Sequence, residues 1–347
     1  RGNTVTLGTC IATFLYCLMV LRTIHSGEQD FVPQLSVLVA LLLAVCSIGV
    51  LIYFIHHVPQ TIHINHVVAR IGEQLVRDAR ERFPAMIGDA PPEGPEAPVV
   101  PERSWDTVPS DSTGYLQFID EDRIMELASE RDIVIRLRYR PGDFVMTGRG
   151  LADVSPAGKV DEDLCRKLRE CFTAGKKRTP EADLMFLVSE LVEIAARALS
   201  PGVNDPMTAV TCLDWLGAGV SEFSQRRLPE PIRVDGSGQP RVIAEPISFG
   251  SFLVAAFGRL RHYAAPDPIA GLHFLRVLGE VGATCRSREQ LGELREQERQ
   301  FVDLAREKLS GADQELLLKR AAELHQLLMN QPDCIDEDQA NWLGGTA

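Results

Sequence analysis

The chain has 347 residues, of which 45% are hydrophobic and 24% charged, with a formal net charge of -12 at pH 7. An acidic body repels a phosphate backbone, which excludes nucleic acid as a partner, and taken as a whole it also repels anionic lipid. Eight cysteines without a C-x-x-C pair exclude a disulfide framework and a cysteine zinc site, and three of them (Cys10, Cys17, Cys46) lie in apolar runs as packing residues.

Two uncharged apolar runs, Gly2 to Leu21 and Val32 to Ile55, open the chain. Each is about the twenty residues that a helix needs to cross a hydrocarbon core of roughly 30 Å. Residues 1–58 therefore read as a transmembrane helix pair. A cleaved signal peptide fits poorly, because the first run is long and a second follows at once. The start at Arg1-Gly2-Asn3 without a Met leads us to expect further spans upstream. The connection Thr23 to Gln34 carries Glu28 and Asp30 and no basic residue, whereas Arg70, Arg77, Arg80 and Arg82 follow the second run. By the positive-inside rule the body faces the cytoplasm, which predicts a multi-pass inner-membrane protein.

The fold class expected is an α-helical membrane segment joined to a cytoplasmic α+β body, with a small β-rich module preceding a mainly helical bundle. Residues 59–83 space Ile62, Val67, Ile71, Leu75 and Val76 as one apolar stripe, which predicts an amphipathic stalk helix continuing the second span, with a kink at Pro59. Residues 84–113 hold seven of the 21 prolines and read as a linker. Residues 114–158 read as the β-rich module. In it, strand Gly114 to Ile119 leads to a helix capped by Asp120, and an alternating strand Ile133 to Tyr139 leads through Arg140-Pro141-Gly142-Asp143, with type II turn chemistry, to Phe144. Residues 159–330 carry helical apolar stripes in seven segments, interrupted by a hairpin near 232–248 around Asp235-Gly236-Ser237-Gly238. The tail 331–347 is polar, and no internal repeat aligns.

The most distinctive stretch runs from Arg197 to Ala209, RALSPGVNDPMTA. One helix ends at Ser200 and the next begins with Asp205 as N-cap and Pro206 in its first turn, while Glu193 and Arg197 form an i, i+4 pair. The stretch is either a corner fixed by caps and an ion pair, or an anionic-ligand site built from Arg197, Ser200, Asn204, Asp205 and the amides of the new helix. Together with Phe14-Leu15-Tyr16-Cys17, Phe54-Ile55-His56-His57, Pro141-Gly142-Asp143-Phe144-Val145 and Arg178-Thr179, it resembles a bacterial family of predicted membrane proteins, domain of unknown function 2254. The resemblance runs from the first span to about residue 330. It implies a multi-span membrane protein with a cytoplasmic region, and it transfers no catalytic residue.

Two further constellations stand out. His56, His57, His63 and His66 at the inner membrane boundary could hold a metal or titrate near neutral pH, or simply meet headgroups and water. Arg136, Arg138 and Arg140 alternate with apolar residues on one strand, so they share a face as an anion trap or pair with acids on neighbouring strands. Nucleotide-binding glycine loops, a nucleophile elbow and H-E-x-x-H are absent from the sequence, and the spans carry no central charge. We therefore expect no enzyme and no cofactor. The expected role is an oligomeric channel or transport component gated by its body. The alternative is a membrane-anchored sensor or scaffold binding a small anion, and in either case the partners are the bilayer and further copies of the chain.

Overall fold

The computed structural model describes residues 2–23, 34–61, 64–81, 104–179, 183–226 and 229–330. The chain divides into two compact units, residues 1–67 and 68–347. In the first, helix α1 (Gly2–Thr23) packs on α2 (Gln34–Thr61), with Ser47 donating to the Cys10 sulfur at 3.3 Å. Among the described residues one helix is long and apolar enough to span a membrane, over Gln34–Ile52. The apolar stretch of α1, Gly8–Arg22, is shorter. Of the two spans expected, the described residues thus support one candidate membrane helix, near the N-terminus.

The amphipathic stretch forms α3 (Ile64–Glu81). Its apolar stripe is not left free as a stalk, because Val68, Leu75 and Ala79 are fully buried and the first two belong to the core of the helical bundle. Glycine makes the approach possible. The Trp215 ring lies where a side chain at Gly72 would stand, and Leu75 lies where one at Gly219 would stand.

Among the described residues eight strands form two sheets. The larger has the order β1 (Asp106–Pro109), β5 (Gly150–Ser155), β3 (Val134–Leu137), β8 (Pro240–Ile243), β7 (Ile232–Val234), antiparallel except for β3 with β8. The smaller is antiparallel, β4 (Phe144–Val145), β2 (Gly114–Ile119), β6 (Phe172–Gly175). With α4 (Glu121–Arg131) and α5 (Glu162–Glu170) the sheets enclose one apolar core that includes Val108, Leu116, Ile124, Ile135, Leu164 and Val242. Two sequence boundaries therefore shift. Asp106–Pro109, inside the stretch read as linker, is a paired strand. The hairpin expected within the helical region supplies β7 and β8 to the larger sheet, satisfying backbone groups that β3 would otherwise expose at an edge.

The second core is helical. α6 (Leu184–Ala198) and α7 (Pro206–Ser224) pack with α10 (Pro268–Thr284), α11 (Arg288–Lys308) and α12 (Gly311–Asn330). The segment 249–264 is α8 (Phe249–Leu253), a π-helical turn (Val254–Gly258) and α9 (Arg261–Ala264). The structure also brings out a repeat that did not align in sequence. α7 and α10 each enter through Asp-Pro, with Asp205 and Asp267 capping the N–H groups of Thr208 and Ala270. They lie side by side and parallel, since contacts advance together from Asp214 with His273 through Gly217 with Val277 to Ser224 with Thr284.

Replacing Leu75 by Ala tests whether α3 belongs to the bundle. A fully buried leucine truncated in a packed site costs about 2 to 5 kcal/mol. We expect a clear fall in the melting temperature of the detergent-solubilised chain. A free stalk would leave melting unchanged.

Candidate functional site

The two motifs Pro141 to Val145 and Arg178-Thr179 are far apart in sequence and meet at Asp183. That residue caps α6, accepting from the Phe186 N–H at 3.0 Å, and only 4% of it is exposed. Arg178 donates to its Oδ2 through Nε at 2.7 Å and Nη2 at 2.6 Å, reaches the Ser189 hydroxyl at 3.3 Å, and lies over the Phe186 ring. Gly142 has φ +96°, and a side chain there would run into the Asp183 carboxylate. Glycine is thus required twice over, for the left-handed backbone and for the close approach. Burial pushes the Asp183 carboxyl above its ordinary value, Arg178 opposes that shift, and the nearby Asp143 adds to it.

The three strand arginines have separate fates. Arg138 is committed, its Nε bonding both oxygens of buried Asp153 at 3.0 and 2.9 Å, with Thr107 on the same carboxylate. This is the pairing with an acid on the neighbouring strand. Arg136 is exposed and lies over Trp105, its Cζ 4.0 Å from the ring centroid, a stacking and cation–π arrangement. Arg140 is exposed at the turn, where its backbone N–H bonds Asp143 at 2.8 Å. Trp105 escaped the sequence reading because it lies in the stretch read as linker.

At the other end of α6, Arg197 pairs with Glu193 at 2.7 Å and Ser200 donates its hydroxyl to the Arg197 carbonyl at 2.6 Å. Asn204 takes a left-handed φ of 49°, the Asp205 N–H bonds the Ala198 carbonyl at 2.8 Å, and the Asp205 carboxylate holds the N–H and hydroxyl of Thr208. These bonds hold the Asp205 carboxyl below the usual range. The Ser200 hydroxyl and the Asp205 carboxylate are thus engaged within the corner itself. The fifteen residues of α6 separate it from the Asp183 end by roughly 22 Å, so Arg140 and Ser200 do not converge on one small ligand.

The side chains of His56, His57 and His63 lie outside the described residues, and His66 is exposed. His273 pairs with Asp214 at 2.6 Å, and His325 with buried Glu298 at 2.9 Å in a groove between α11 and α12. The described residues contain no His/Cys/Asp/Glu group able to hold a metal. Burial pushes Cys171 up to about 11 and Cys212 and Cys285 up to about 12, so these three remain thiols at neutral pH.

One buried charge falls outside all the motifs. Arg233 on β7 is 3% exposed, and its Nε has no hydrogen-bond partner among the described residues. Glu121, in the first turn of α4, is half-buried and feels that positive charge. Burial and the neighbouring Asp122 nonetheless push Glu121 up to about 7.

Residues 1–280 match the family model described as Predicted membrane protein (DUF2254). The chain belongs to this family. Relatives include the uncharacterized protein Rv1290c of Mycobacterium tuberculosis and the uncharacterized protein Mb1321c of Mycobacterium bovis. Each is 30% identical over 296 residues, a match that covers 82% of this chain and 55% of the relative. The chain thus spans about half the length of these curated relatives, and no solved structure matches it. The family model ends before α11, so the α11–α12 groove lies beyond the matched residues.

Two outcomes follow from this geometry. Asp183→Ala leaves Arg178 without its acid and α6 without its cap, and should cost about 3 kcal/mol, at the low end for breaking a buried pair because Arg178 keeps some water. Asp183→Asn, which retains capping, should lose less in the same melting assay. For Glu121, a folded-state pKa of about 7 against an ordinary 4.5 means that the native state holds the proton more tightly. Its contribution to stability is fully present below about 4.5 and is lost as pH rises through about 7. Glu121→Gln should flatten the decline in stability across that window, and an unchanged pH profile would exclude this origin.

Proposed function

We propose that the chain is the anchored part of a multi-pass inner-membrane protein whose cytoplasmic body is a sensor or scaffold for a small anion, working as a homo-oligomer. The observation that carries this reading is exposed Arg136, its Cζ 4.0 Å from the Trp105 ring centroid, while its neighbour Arg138 is locked to Asp153. A stacked guanidinium has already lost much of its rotamer freedom, so less entropy is lost when it takes a carboxylate or phosphate. Arg140 lies four residues on, about 13 Å along an extended chain, and contributes long-range attraction more than a shared contact. Asp143 and the polar groups of the Ser200 corner are engaged internally, which supports Arg136 as the principal ligand contact.

A second reading, a channel or transport component gated by the body, rests on the α1–α2 pair, whose one charged residue, Arg22, lies in the last turn of α1. The two readings separate experimentally. Inorganic phosphate or citrate, added at concentrations that saturate binding, should raise the melting temperature of the solubilised chain by a few degrees. Arg136→Ala should abolish that shift with little change in the ligand-free melting temperature. An unshifted wild type would remove the sensor reading, and anion-independent conductance in planar bilayers would favour the channel.

A further inference from the structure

The outer face of the smaller sheet is apolar and uncovered. Tyr115 and Phe144 stand opposite one another on β2 and β4, their rings in edge contact at 5.0 Å. An irregularity in the pairing at Gln117 resets the alternation, so that Phe118 also turns outward opposite exposed Thr173 while Leu116 and Ile119 stay in the core. Phe118 is 56% exposed, and Phe144 and Met146 are 49% exposed. Large apolar side chains gathered on one sheet face in this way mark a contact surface.

Its rim is cationic. Lys176 and Lys177 continue β6 and are exposed, and the Lys177 carbonyl accepts from the Gln117 amide at 2.7 Å, which fixes this lysine pair beside the aromatic face. Arg140 lies at the turn that opens β4. Of the acids nearby, Asp143 accepts the Arg140 N–H and Asp120 caps α4, while Asp111 is exposed at the far end of the sheet face, where its carbonyl accepts from Thr147. In a chain of net charge -12 such a rim is a local reversal of sign.

We propose that this face, Tyr115, Phe118, Phe144 and Met146 rimmed by Lys176, Lys177 and Arg140, rests on the anionic surface of the bilayer in which the chain is anchored. Aromatic and aliphatic side chains enter the headgroup boundary while lysines meet anionic lipid. Charge selects the occupant. A second copy docking through the same face would set Lys176 and Lys177 against their own equivalents, which is repulsive, whereas anionic headgroups complement them.

The test uses the full chain reconstituted in vesicles of phosphatidylcholine with phosphatidylglycerol, with Phe118→p-benzoylphenylalanine as photoprobe. Irradiation should give adducts of lipid mass, and the same probe at exposed Glu307 should give none. Lys176→Gln and Lys177→Gln should each lower the lipid adduct roughly fivefold, as expected for one lysine near an anionic surface. As a second readout, Phe144→Trp should add fluorescence that brominated lipid quenches, so the outcome does not rest on one variant. Adducts of twice the chain mass, equal yields in pure phosphatidylcholine, or no lipid adduct together with no quenching would each overturn the proposal. The lysine variants leave Arg136 untouched, so this result is independent of anion binding there.

Discussion

Asp183 and Arg178 hold together the sheet half and the helical half of residues 68–347. The carboxylate starts α6, accepts from Nε and Nη2 of a guanidinium in the segment that follows β6, and sits under the backbone of the turn between β3 and β4. A carboxylate taken out of water needs such a set of partners, because desolvation alone would drive it to the neutral form. Arg178 in turn gains its acid, a serine hydroxyl and an aromatic face. The sheets and the helical bundle have separate apolar cores, so this polar node supplies an orientation between them that hydrophobic packing, which is non-directional, would not specify.

From the node, α6 carries the chain to the Ser200 corner, and the corner starts α7. There close packing takes over. Gly72 admits Trp215, Gly219 admits Leu75 and Gly217 admits Val277, so α7 is approached closely by α3 on one side and by α10 on the other. The corner's hydrogen bonds set the direction in which α7 leaves, and three glycines set how near its neighbours come. The distinctive motif is therefore explained first as architecture. Its serine hydroxyl, its aspartate carboxylate and the asparagine backbone are used in making the bend.

The cations that remain available lie elsewhere. Arg138 is neutralised by Asp153 and Arg197 by Glu193, whereas Arg136 rests on an aromatic ring and Lys176 and Lys177 border an apolar face. Net charge describes the far field of the body and says little about such patches, since surface charges more than a Debye length of roughly 8 Å apart are largely screened at physiological salt. An acidic chain can thus present a locally cationic patch.

The order of helices, the caps at Asp120 and Asp205, and the hairpin at Asp235 follow from local rules that a single sequence displays: a period of 3.6 residues, N-cap chemistry and turn residues. So does the apolar membrane helix, which depends on length and composition alone. The tertiary structure decided everything that depends on residues distant in the chain. It put Asp106–Pro109 into a sheet despite its proline-rich setting, and it gave the hairpin to β3. It also closed α3 onto α7 instead of leaving a stalk, and joined Gly142 to Asp183. Alternation on β3 showed that three arginines share a face, but Asp153 and Trp105 determined which of them stays available. Periodicity reports which face of an element is apolar, whereas the partner that covers that face is chosen by long-range packing.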